Sequence, residues 1–123
     1  MTQLDPTPDQ LSSPPVAEVV ISFEAGTAMI TLSGQIDLAT QTGLDFAAEE
    51  AILRALPVRV DLSRVTFMDS AGSGFVARLV RAASEAGRRL TVIGPNRRII
   101  DTLAVSGLAP FLDVSQTESW ART

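Results

Sequence analysis

The stretch RVTFMDSAGSGF, Arg64 to Phe75, does most to limit what this chain can become. Val65, Thr66, Phe67 and Met68 are good strand formers, whereas from Ser70 onward the apolar residues recur at helical spacing. Asp69 and Ser70 therefore stand where a strand hands over to a helix, with Gly72 and Gly74 close behind. Another strand-like run, LTVIGP, follows that helix, and the buried-strand pattern VRVDLS leads into the junction. Strands alternating with helices in this way point to an α/β domain.

The flanking segments extend the pattern. VAEVVISFEAGTAMITLSG reads as a hairpin, with Val19, Ile21 and Phe23 alternating, a break at Gly26-Thr27, and a resumption through Met29 to Leu32. Leu44, Ala47, Ala48, Ala51, Ile52 and Ala55 give Thr40 to Leu56 a helical period, with Asp37 as a candidate cap and Pro57 as the stop. The helix after the junction is expected from Ser70 to Ala86, ended by Gly87. NRRIIDTLAVSGL is a helix capped by Asn96 and stopped near Gly107, FLDV a short last strand, and SQTESWART a final helical turn or two. An opening hairpin followed by this alternation gives a mixed sheet of four to five strands with helices packed on it. Residues 1–15 carry four of the seven prolines and little that packs, so they are read as a flexible tail and 16–123 as the single domain. At 46% hydrophobic residues, the chain can bury a core without covalent staples.

A serine beside an aspartate at such a junction raises the question of chemistry, and composition narrows it. The chain has no cysteine, histidine or tyrosine, and its ten basic residues are all arginine. Disulfides, thiolate metal sites, a Ser-His-Asp triad, a Walker A lysine and a Schiff base are thereby excluded. AGSGF is neither a G-x-S-x-G elbow nor part of a dinucleotide fingerprint. No enzymatic activity and no cofactor are expected. A net charge of −4 and the absence of a basic stripe argue against nucleic acid as a partner. No apolar run is long enough to span a membrane, and a cytoplasmic protein is the simplest reading.

At about 100° per residue, Phe75, Val76, Leu79, Ala82, Ala83 and Ala86 fall on one side of the junction helix, which is expected to face the core. Ser70, Ser73, Gly74, Ala77 and Arg81 fall on the other. Two readings stay open from the residues alone. Asp69 or Ser70 is a helix cap and the glycines are turn residues, or Ser70 presents a hydroxyl to a partner across a surface kept flat by small side chains. The second reading explains why Gly74 is tolerated inside a helix, where glycine costs about 0.5–1 kcal/mol against alanine.

VDLSRVTFMDSAGSGFVARL resembles the central motif of STAS-domain proteins, in particular the bacterial anti-sigma factor antagonists. ITLSGQIDLAT and LTVIGPNRRIIDTLAVSGLAPFLDV resemble the segments before and after it, so the likeness covers Val16 to Val114. It implies a STAS fold and a protein that binds an anti-sigma factor and so releases a sigma factor. It also implies that the anti-sigma factor is a serine kinase, that Ser70 is its phosphoacceptor, and that a PP2C-type phosphatase restores binding. The resemblance places Asp37 near the phosphorylation site, and the partner-binding patch is expected to comprise Asp37, Asp69, Ser70, Ala71, Gly72, Ser73, Gly74, Ala77 and Arg81. Three positions depart from the family pattern: Gln35 replaces a glutamate, Ala71 a serine or threonine, and Ser73 a large aliphatic residue. Two other readings keep the fold and change the role. One is a non-switching subunit or scaffold, for instance in a lipid-transport or transporter-linked assembly. The other is a nucleotide- or small-molecule-binding regulatory module, which no P-loop lysine or basic pocket supports.

Overall fold

A computed structural model describes residues 17–116. The expected 1–15 tail and most of the proposed final helical turns lie outside the described residues. The chain order is β1 (Glu18–Glu24), β2 (Thr27–Ile36), a 3-10 turn (Leu38–Thr40), α1 (Gln41–Arg54), β3 (Val58–Met68), α2 (Ser70–Glu85), β4 (Leu90–Ile93), α3 (Arg97–Val105), a second 3-10 turn (Ala109–Phe111) and β5 (Leu112–Ser115). The five strands form one sheet in sequence order. β1 and β2 are antiparallel, and β2 through β5 run parallel.

The hairpin is closed by Ala25 and Gly26, both at positive φ, between the paired residues Glu24 and Thr27. That two-residue geometry matches the right-handed twist of the strands it joins. After it, each parallel pair needs a crossover, and α1, α2 and α3 supply them. All the crossovers step the same way across the sheet, so right-handed connections put the helices on one face. One buried cluster joins Leu44, Ala47, Ala48 and Ala51 of α1, Phe75, Val76, Leu79 and Val80 of α2, and Ile99 and Leu103 of α3. These meet the inward strand residues Ala28, Ile30, Leu32, Val60, Leu62, Leu90 and Val92.

Four local expectations are corrected. VRVDLS and VTFM are one continuous strand of 11 residues, since β3 pairs with β2 as far as Ile36↔Met68. The helix expected from Thr40 begins at Gln41, because Asp37 caps a 3-10 turn before it, and it ends at Arg54 with Ala55 in the left-handed region. Along α2, Ala86 is the exposed C-terminal cap residue, not a core residue, while Gly72 and Val80 are buried. Phe111 belongs to a 3-10 turn and not to the last strand. The stops at Gly87 and Gly107 are as expected, both at positive φ.

Candidate functional site

The long β2–β3 pairing builds the site. Two register irregularities, between Thr31 and Ser33 and between Gly34 and Gln35, allow the strands to stay paired to their last residues. Asp37 and Asp69 are therefore the first residues beyond the same end of two adjacent parallel strands, and the Asp69 N–H donates to the Ile36 carbonyl at 3.1 Å. Both aspartates act as caps. Asp37 Oδ1 accepts from the Ala39 N–H at 3.0 Å, and its own N–H donates to Thr40 Oγ1 at 3.0 Å. Asp69 Oδ1 accepts from the Ala71 N–H at 2.8 Å.

Asp69, not Ser70, is thus the N-cap of α2, so the Ser70 side chain is not used for capping. Ser70 is the first helical residue and is exposed. Among the described residues, no hydrogen bond engages its hydroxyl. Ser73 differs: it is half-buried, and its Oγ donates back to the Ser70 carbonyl over a long 3.4 Å.

The remaining expected patch residues divide. Gly74 lies open, and a Cβ built there would meet nothing within 4 Å. Arg81 is exposed but stands 11 residues along the helix from Ser70, about 16 Å away at 1.5 Å rise per residue. Ala71 and Ala77 are partly buried and pack against the core, so each offers only its outer edge. Gly72 is buried beneath the helix, where an added Cβ would run into Met68 Cγ. It is there for packing and is not part of the exposed patch.

The structure adds a second wall that sequence reasoning missed. A shallow groove beside Asp69, Ser70 and Ser73 is completed by Arg98, Asp101, Thr102, Val105 and Ser106 of α3 and its C-terminal cap. α3 is held there by Asn96, whose Nδ2 donates to the Val65 carbonyl at 3.2 Å and whose Oδ1 accepts from the Ile99 N–H. A signal existed. Arg98, Asp101, Thr102 and Val105 recur at three- and four-residue spacing, a stripe opposite buried Ile99 and Leu103. Val105 is 89% exposed, and Leu38, next to Asp37 in the chain, is 75% exposed. The site is therefore a free hydroxyl in a groove with Asp69, Asp101 and Arg98, with the bare Val105 side chain on its α3 wall. Among the described residues, no cluster of acidic or metal-ligating side chains could hold a metal ion, and no helix is long and apolar enough to cross a membrane. The groove lacks a histidine or lysine to act as general base.

The chain is 24% identical over 90 residues to a protein named anti-sigma-B factor antagonist from Listeria monocytogenes, covering 72% of this chain and 79% of that one. Among solved structures it resembles the anti-sigma factor antagonist SpoIIAA in its unphosphorylated form, with a TM-score of 0.70, 23% identity, and coverage of 85% and 92% of the two chains. It also resembles the Bacillus cell fate determinant SpoIIAA in the phosphorylated form, with a TM-score of 0.67, 21% identity, and coverage of 85% and 97%. These structural likenesses carry the five-stranded mixed α/β fold. The family described as "Mlab, STAS domain" matches residues 19–113, a span holding every strand but the ends of β1 and β5 and all of the junction groove: the chain belongs to the STAS-domain family.

Proposed function

We propose that this chain is an anti-sigma factor antagonist that binds an anti-sigma factor through the Ser70 groove and is switched off by phosphorylation of Ser70. The observation that carries the reading is the division of labour at the start of α2. Asp69 makes the cap bond, which leaves the neighbouring Ser70 hydroxyl exposed and free of any described bond. A serine needed for the fold would be engaged, whereas a serine meant for a kinase needs exposure and room. The named relatives support the class of partner. Phosphate on Ser70 adds about −1.5 to −2 charges at neutral pH, beside Asp69 and Asp101 in the same groove. A partner surface fitted to a neutral hydroxyl would then meet a hydrated dianion. Binding falls without any change of fold, and a phosphatase reverses it.

The test is capture of native partners on the tagged chain, followed by mapping of phosphorylation on the bait after incubation with the captured fraction and ATP. The expected result is an anti-sigma factor with kinase activity and modification at Ser70. Modification at Ser73 alone, or at neither serine, removes the switch and leaves a non-switching subunit or scaffold as the better reading.

A further inference from the structure

Arg98 is the one cation among the side chains that line the groove, and no described carboxylate pairs with it. Asp101 lies three residues along the same face of α3, and Asp69, across the groove, has its Oδ1 committed to the Ala71 N–H. An exposed guanidinium left unpaired in a groove with two aspartates is poised for a stronger acceptor than either. Phosphate supplies one, because its geometry matches the planar fork of donors and its charge exceeds that of a carboxylate.

We infer that Arg98 is the internal counter-ion for a phosphate carried on Ser70, so that modification ties the start of α2 to α3 across the groove. This rests on the reading of Ser70 as a phosphoacceptor and extends it to what the phosphate does within the chain. The modified side chain meets the first turn of α2 on one side and Arg98 on the other. The charged groups facing it are Asp69 on α2 and Arg98 and Asp101 on α3, with Asp37 beyond the neighbouring strand end. Arg98 overcomes the two groove aspartates only if it contacts the phosphate directly. The bridge then spans the groove and removes both the hydroxyl and the guanidinium from any partner. The phosphorylated state is thereby a distinct, internally satisfied surface as well as a repulsive one.

The experiment installs phosphoserine at position 70 genetically, which makes it independent of any kinase, and follows its second ionisation by phosphorus NMR. The chain as it stands is compared with Arg98→Gln, Arg98→Lys and Arg81→Gln. A contacting cation favours the dianion, so Arg98→Gln raises the apparent pKa by about half a unit or more. Arg98→Lys keeps most of the lowered value through its charge, and Arg81→Gln, about three turns along the exposed face of α2, leaves it unmoved. No change with Arg98→Gln, or an equal change with Arg81→Gln, overturns the assignment. Should Arg98→Gln fail to fold, the Arg98 Nε–H resonance of the otherwise unaltered protein decides: it shifts and exchanges more slowly when phosphoserine is present, and an unchanged resonance overturns the bridge. Kinase mapping can fail while this titration succeeds, which would remove the switch and keep the counter-ion. The reverse pair of results would do the opposite.

Discussion

The inner and outer faces of the first turns of α2 use the same residue type for opposite ends. Gly72 points at the sheet, where Met68 occupies the space a side chain would need. Gly74, two residues on, points at nothing. One glycine lets a helix settle onto its own strand, and the other keeps a surface bare at a cost in helix propensity. A helix optimised only for stability would keep the first and replace the second. Packing therefore accounts for Gly72 and not for Gly74.

The largest expected effect lies on the outer face. Ser70→Glu should weaken binding to the anti-sigma factor captured with the unaltered chain by a hundredfold or more, about 2.8 kcal/mol, while Ser70→Ala stays near the original affinity. Titration calorimetry on both variants checks this, and equal affinities would break the functional side of the comparison. On the inner face, Gly72→Ala should lower stability by about 1–3 kcal/mol through overpacking against Met68, with affinity following only the fraction folded. Urea unfolding of Gly72→Ala, Met68→Ala and the pair should reveal strong coupling, and additive effects would mean the two do not compete for space.

Asp69→Ala should cost about 1 kcal/mol through loss of the cap, whereas Ser70→Ala should leave the melting temperature almost unchanged. If the two losses match, the cap is shared and Ser70 is less free than its geometry indicates. The smallest change in stability belongs to Gly74→Gln. Thermal stability should rise by a few tenths of a kcal/mol from recovered helix propensity, while partner affinity falls because a long side chain now stands on the bare patch. Opposite movement of the two quantities is the sharpest form of the inner-versus-outer contrast. Movement of both in the same direction would mean that Gly74 is read wrongly.

Much of this was legible in the residues. The period of Phe75, Val76 and Leu79 set the buried side of α2, and the exposure of Ser70 and Gly74 followed from the same wheel. Asn96 announced the start of α3 and does cap it. Errors arose where a wheel has no depth. Ala86 shares an angle with the core residues but lies past the helix end. Gly72, by contrast, falls at about 200° from Ser70, within the arc of Phe75, Val76 and Leu79, so its place in the expected patch came from its nearness to Ser70 in the chain and not from the wheel. Asp69 and Ser70 are both good capping residues, so their adjacency could not say which makes the bond. The backbone at Asp69 decides it: an extended residue hydrogen-bonded to Ile36 aims its carboxylate at the Ala71 N–H.

By itself, the sequence determined the alternation of strands and helices, the hairpin, most helix stops and the exclusion of histidine, cysteine and lysine chemistry, because all of these depend on local periodicity, turn residues or composition. The tertiary structure alone decided what surrounds Ser70. Parallel strands deliver the residue after each strand to one edge of the sheet. That brings Asp37 to the Asp69 backbone and lays the Arg98–Val105 stripe along the Ser70 groove, though Asp37 lies 33 residues before Ser70 and Arg98 lies 28 after it. No local pattern encodes which two stripes will face each other. That follows from strand order and crossover hand, which are properties of the whole sheet.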